Sequence, residues 1–321
     1  MEQSFIQLLA TNYSKIFNFG GNVTPMGGFS IALQYALHGY TYNALQHEAV
    51  VKQLKMPQPL GSVMHGYGND PILIDKIAAR FIIEGNVEQS VKDIHRKIDI
   101  LKAHKFSSGY NLNYSALFLQ DEAHAARAKQ FFNEMKSNQW LLTRKTDYPI
   151  AVILTKQSHD PKQLAETVYK YYEALKVELK SGDQLQMLAQ FLTSYSPNFE
   201  QKLVEYTLHI KKYLQEQNVK VPRSAYPLLG LLALNATTEE TLQYMLTLRK
   251  EILKDKKFEL RPELALMGAV LKSLTDEFTA GALTAEMPLD WVDLMLYSDV
   301  LLVLPKTIIE GVLSADFNFF N

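Results

Sequence analysis

A chain of 321 residues, 47% of them apolar, has ample material for a buried core and is too long for one packed layer unless its architecture is barrel-like or repetitive. Thirty-three basic against 34 acidic side chains leave a formal charge of −1, which argues against a duplex-coating nucleic-acid binder, since such proteins draw most of their affinity from phosphate neutralisation. The absence of cysteine excludes disulfide scaffolds, thiolate metal sites and cysteine nucleophiles.

The first residues, Met1 to Ser4, lack the basic region of a signal peptide. The longest apolar run, Tyr226 to Ala236, falls well short of the roughly 20 residues that span a bilayer. The expectation is a cytoplasmic protein without membrane insertion.

Phe5, Leu8, Leu9, Tyr13 and Ile16 recur at three- and four-residue spacing, which predicts a helix over 1–19. Thr24-Pro25 predicts the start of a second helix, and a third is expected from about Tyr42 to Leu54. The stretch Met56 to Asp70, with two prolines and three glycines, reads as a loop and as the boundary between an N-terminal piece and the rest.

From Asp70 onward, helix-start signals repeat. One series comprises Asp70, Asn111, Thr146, Asp183 and Ser224, and a second comprises Asn86, Asp121, Asp160, Ser196 and Thr237. A short oxygen-bearing side chain can satisfy the free amides of a first turn, and proline or an acid shortly afterwards strengthens the signal. Within each series the starts are 35 to 41 residues apart. Helices of the first series are short and densely apolar, as in Ile150 to Leu154; those of the second are amphipathic, as in Leu164, Val168, Tyr171, Tyr172 and Leu175. This pattern predicts an all-α fold, an α-solenoid of stacked helical hairpins with a period of about 35–41 residues. Residues 1–60 and 276–321 would supply helical caps and residues 70–275 the repeats, in one continuous solenoid.

The run Leu141-Leu142-Thr143, then Asp147-Tyr148-Pro149-Ile150-Ala151-Val152-Ile153-Leu154, then Tyr171-Tyr172 and Gly182-Asp183-Gln184-Leu185-Gln186, resembles an uncharacterised Gram-positive bacterial family, a domain of unknown function (DUF4003-like). The likeness continues through Tyr226-Pro227-Leu228-Leu229-Gly230-Leu231-Leu232-Ala233-Leu234 and is good over about residues 107–236. It implies a cytoplasmic helical protein and brings no catalytic residue with it.

The familiar constellations of chemistry are missing. No two of the eight histidines sit four apart around a glutamate, and neither a Gly-x-Ser-x-Gly elbow nor a phosphate-binding Gly-Lys-Ser/Thr loop occurs. No catalytic, cofactor-binding or metal-ligating residue is therefore assigned, and no cofactor is expected. The nearest thing to a site is the glycine-hinged loop holding His65, Tyr67, Asn69 and Asp70, which offers an imidazole, a phenol, an amide and a carboxylate for acid–base work or a small ligand. Tyr114, Tyr148 and Tyr226 follow related helix starts. They would either line one groove and anchor a partner, or pack between hairpins with their hydroxyls on a neighbouring loop. The basic clusters Lys92 to Lys105 and Arg249 to Arg261 read as solvated helix faces. The leading expectation is a non-enzymatic repeat protein that holds a protein or peptide in its concave groove. The alternative is an enzyme or small-ligand binder using the loop 65–70, and RNA or DNA binding ranks third.

Overall fold

The computed structural model describes residues 4–19, 23–56, 73–139, 141–255, 258, 262–279 and 294–295. All regular structure among them is helical. In chain order the helices are α1 (Phe5–Phe19), α2 (Pro25–Leu37), α3 (Ala44–Lys55), α4 (Leu73–Glu84), α5 (Val87–Ala103), α6 (Tyr110–Ala116), α7 (Glu122–Asn138), α8 (Tyr148–Leu154), α9 (Pro161–Leu175), α10 (Asp183–Thr193), α11 (Gln201–Glu216), α12 (Tyr226–Leu234), α13 (Glu239–Lys254) and α14 (Pro262–Thr279).

Side-chain pattern separates these helices into two kinds. In α8 every residue from Tyr148 to Leu154 is buried, and in α2 every residue from Gly27 to Leu37. Helices such as α9 bury one stripe, Leu164, Val168, Tyr171, Tyr172 and Leu175, and leave the other face polar. Each half-buried helix packs on the more buried one that follows it: α1 on α2, α3 on α4, and so on to α13 on α14. The more buried helices also meet one another, with α2 on α4, α6 on α8, α8 on α10, α10 on α12 and α12 on α14.

The last of these pairs returns to the first, because α14 packs on α2. A Cβ placed on Gly268 of α14 would lie 3.2 Å from the Phe29 ring of α2. Phe258, just ahead of α14, meets Tyr13 and Phe29 edge-on, with ring centroids 5.3 and 5.8 Å apart. Residues of α1 and α2 join the same apolar core as the described helices that follow them.

The helix starts themselves divide. Asp121 accepts the His124 amide at 2.7 Å, and Asp160 accepts the amides of Lys162 and Gln163, as capping residues should. Thr238 takes the role expected of Thr237, whose hydroxyl instead donates back to the Leu232 carbonyl. Ser196 opens a turn rather than a helix. Its Oγ accepts the Asn198 amide, the Pro197 carbonyl accepts the Thr167 hydroxyl, and α11 begins only at Gln201.

Starts in the other series use two further devices. Gly109 and Gly182 precede α6 and α10 at φ 137° and 136°, a backbone region open mainly to glycine, so Asn111 and Asp183 lie inside the first turn. Ahead of α8 and α12 the chain makes a single 3-10 turn, Lys145–Asp147 and Arg223–Ala225. In the turn ahead of α8 the Asp147 carboxylate reaches back to accept the Arg144 amide at 2.8 Å.

Close approach of α10 and α12 depends on Gly230, where an added Cβ would meet Leu188 Cδ1 at 2.9 Å and Phe191 Cβ at 3.0 Å. Phe191 Cβ is fixed to its helix backbone and cannot swing aside. Gly230→Ala should therefore lower stability by about 1–3 kcal/mol through overpacking, outweighing the roughly 1 kcal/mol that alanine adds to a helix. Urea unfolding checks this, and a more stable variant would show that the two helices are not held at this spacing.

Candidate functional site

The turn between α2 and α3 is fixed before any site forms on it. Thr24 caps α2, accepting the Gly27 amide at 3.2 Å, and Pro25 presets its first turn. Gly39, at φ 72°, ends the helix. Asn12 of α1, wholly buried, then holds the turn from below: its amide donates to the Tyr40 carbonyl at 2.9 Å and its oxygen accepts the Tyr42 amide at 2.8 Å. Asn43 caps α3 by accepting the Gln46 amide.

This arrangement brings a polar chain into the core where α2, α3 and α4 meet. The Tyr35 hydroxyl donates to His47 Nδ1 at 3.0 Å, and His47 Nε2–H points to Asp75 Oδ1 at 3.4 Å. The tautomer follows from the two partners, since only the nitrogen facing the carboxylate needs a proton. Tyr35 and His47 are buried, whereas the Asp75 side chain keeps 29% of its exposure, so the chain opens to solvent at its acidic end. Tyr42 packs on both, its ring centroid 5.6 Å from Tyr35 and 5.2 Å from His47.

Burial, followed by Tyr42 and Asp75, pushes the Tyr35 hydroxyl well above the ordinary phenol range. Tyr42 is pushed up to about 12 by burial, then by Asp75 and Glu48. Both phenols stay neutral at any physiological pH. They can donate hydrogen bonds or pass a proton, and neither serves as a phenolate nucleophile.

On the outer side of Tyr42 lies a groove of about 620 Å³ lined by Lys15, Thr41, Tyr42, Asn43, Ala44, Leu45 and Glu48. Lys15 Nζ lies 3.5 Å from the Tyr42 carbonyl. Leu45, part of that lining, stands 81% exposed. The groove thus offers apolar surface with one cation and one anion.

A second buried polar cluster joins α8 to α10. The Asp147 carboxylate accepts the Arg144 amide and, at 2.9 Å, Gln190 Nε2, while Gln186 Nε2 donates to Thr143 Oγ1 at 3.2 Å. Burial raises the Asp147 carboxyl to about 6, the Asp183 charge adding to the effect, while its hydrogen bonds to Arg144 and Gln190 oppose it. Gln190 Oε1 is buried without a partner. Nearby, His124 receives the Gln120 amide on Nδ1 and donates Nε2–H to the Val152 carbonyl at 2.7 Å. Burial, opposed by that Val152 bond, lowers its imidazole to about 4. It is a neutral clamp between the α6–α7 turn and α8.

Residues 26–277 match a family described as "Protein of unknown function (DUF4003)". The chain belongs to that family. No curated protein and no solved structure matches it. The match takes in Tyr35, Tyr42, His47, Asp75 and the Asp147 cluster, and leaves Lys15 and Asn12 before it.

The residues singled out by sequence are placed as follows. His65, Tyr67, Asn69 and Asp70 lie outside the described residues. Tyr114, Tyr148 and Tyr226 are all buried. Tyr148 Oη accepts the Ser107 amide and Tyr226 Oη the Lys180 amide, while Tyr114 Oη donates to the Leu294 carbonyl. Among the described residues, no cluster of three or more histidines and acids is placed to hold a metal ion, and no helix is long and apolar enough to cross a membrane. On α5, Lys92 pairs with Glu88, Arg96 and Lys97 with Asp93, and Lys102 with Asp99, so its basic side chains lie among acidic partners.

Sequence reading missed Tyr35, His47 and Asp75 because they are 12 and 28 residues apart on three helices, with no local signature. It did place His47 on a predicted helix.

His124 and Asp147 act oppositely on stability over one pH range. A histidine held near 4 in the fold and near 6.5 unfolded loses stability as pH falls from about 6.5 toward 4. A carboxyl held near 6 in the fold and near 4 unfolded loses stability as pH rises from about 4 to 6. Asp147→Asn should therefore make the protein lose more stability on acidification than wild type, and His124→Gln should make it lose less. The divergence should be on the order of 2 kcal/mol for each. Denaturation at pH 4.5 and 7 checks the signs, and parallel profiles for all three proteins would refute the assignment.

Proposed function

We propose that the protein is a non-enzymatic helical-hairpin repeat protein that binds a protein or peptide partner. The hairpins form one continuous array from α1 to α14, an α-solenoid whose ends have come together, and we place the docking surface at the groove over Tyr42. One observation carries this reading: the groove combines the exposed apolar side chain of Leu45 with the opposed charges of Lys15 and Glu48. Peptide grooves commonly pair an apolar anchor site with rim charges that fix register and exclude wrong partners. An apolar side chain flanked by an acidic group toward Lys15 and a basic group toward Glu48 is the partner chemistry that fits.

A second reading rests on a separate observation, the hydrogen-bonded chain from Tyr35 through His47 to Asp75. In an enzyme or small-ligand binder, Asp75 would face the ligand while His47 and Tyr35 supply or hold a proton. Its accessible end is a single partly exposed carboxylate, and His47 lies buried against the rings of Tyr35 and Tyr42. That is a weaker basis than the open groove.

A photo-crosslinking residue at position 45 tests the first reading, with position 177, equally exposed at 82%, as control. Position 45 should trap one partner stoichiometrically, position 177 should not, and Lys15→Glu should reduce the yield several-fold. Equal labelling from both positions, or indifference to Lys15→Glu, sinks the groove. Activity lost on Asp75→Asn at unchanged melting temperature would establish the second reading instead.

A further inference from the structure

The groove over Tyr42 stands beside a knob. Leu45 projects from the first turn of α3 and is exposed while also lining the groove. Ala49, one turn further along the same exposed face, is small enough to let another helix come close. Both lie away from the side on which His47, Val50 and Leu54 enter the core. Asn12 accepts the Tyr42 amide from below and Asn43 caps α3, so knob and groove are held at a fixed offset.

The charges beside them are uncommitted. Glu48 precedes Lys52 by four residues, a spacing at which helix ion pairs often close, yet among the described residues Glu48 pairs with no cation. Lys15 Nζ meets the Tyr42 carbonyl at 3.5 Å and, among the described residues, no acid. On α5, by contrast, Lys92, Arg96, Lys97 and Lys102 all pair with acids of their own helix.

The groove calls for an apolar side chain with an acid toward Lys15 and a base toward Glu48. It presents those same three groups itself, as Leu45, Glu48 and Lys15. A two-fold axis makes every contact reciprocal, so a Lys15 that meets the Glu48 of another copy places its own Glu48 on that copy's Lys15.

We propose that the occupant of this groove is a second copy of the chain. In the resulting two-fold dimer, Leu45 of each copy enters the groove of the other, and Lys15 and Glu48 pair across the axis. This rests on the groove reading above and names its partner. One helix turn and one groove from each copy make a contact that is small beside the roughly 1,200 Å² buried by stable interfaces. The dimer is therefore weak, with a Kd on the order of 10 µM or above, and it loosens as salt screens its charges.

Sedimentation of the purified full chain over a concentration series tests this. Wild type should pass from monomer to dimer, and Leu45→Arg, a change at an exposed position, should leave it monomeric at unchanged melting temperature. Lys15→Glu and Glu48→Lys should each weaken self-association at least tenfold, because each reverses both symmetry-related pairs. An equimolar mixture of these two variants should dimerise as wild type does, since both pairs are again opposite in charge. No foreign partner produces that rescue. Wild type that stays monomeric well above the expected Kd, a dimer indifferent to Leu45→Arg, or a mixture no better than its components overturns the inference. The crosslink from position 45 then separates the two readings. A product of twice the chain mass from the purified protein supports the dimer, whereas a monomer that traps a foreign protein there overturns the dimer and leaves the groove standing.

Discussion

A helix that is apolar on every side cannot face water anywhere, and in this protein that constraint governs the rest. Helices α2, α8 and α12 are buried over almost their whole length, so each needs cover on both flanks as well as from its hairpin partner. Much of that cover comes from contacts among the more buried helices, α2 with α4, α6 with α8, α8 with α10, α10 with α12 and α12 with α14. The contact of α14 with α2, through Gly268 and Phe29, covers a further part of α2. A small residue follows from the same demand: Gly230 lets α12 approach Leu188 and Phe191 of α10 closely enough to exclude water.

Wholly apolar helices leave their polar backbone ends to be satisfied locally, and the polar side chains of the interior gather there. Asn12 secures the α2–α3 turn, His124 the end of α8, Asp147 its beginning, and Thr167 the turn before α11. Each is a buried group with a backbone partner, the condition under which burial of a polar atom is tolerated. The Tyr35–His47–Asp75 chain differs because its bonds run between side chains of three helices. That is why it stands out as chemistry rather than as joinery.

Much of this organisation was legible in the sequence. Asp121 and Asp160 announced α7 and α9 because a capping carboxylate and the apolar stripe after it are both local. Ser196 misled because Pro197, normally a helix opener, is held in a turn by the distant Thr167 hydroxyl. Gly109 and Gly182 escaped notice because a glycine cap has no side chain to advertise it, only a backbone angle that the fold imposes. The meeting of α14 with α2 and the joining of Tyr35, His47 and Asp75 were both illegible, since nothing local records which distant helices become neighbours. Tyr148 was read as one of two things, and its burial with a hydroxyl on the Ser107 turn is geometry that only the assembled hairpins define.

The contacts among Tyr13, Phe29 and Phe258 bear on how the chain acquires its structure. Open repeat arrays can nucleate anywhere, grow by adding neighbours, and fray from their ends. Here the first helices lack their final neighbour until residues beyond 258 have been made, more than 200 positions later. During synthesis the buried face of α2 must wait for α14, and closing so long a loop carries an entropic cost that nearest-neighbour growth avoids. Because α14 packs on α2, the first and last long helices among the described residues hold one another, and unfolding should be a single cooperative event instead of a gradual loss of helices from either end.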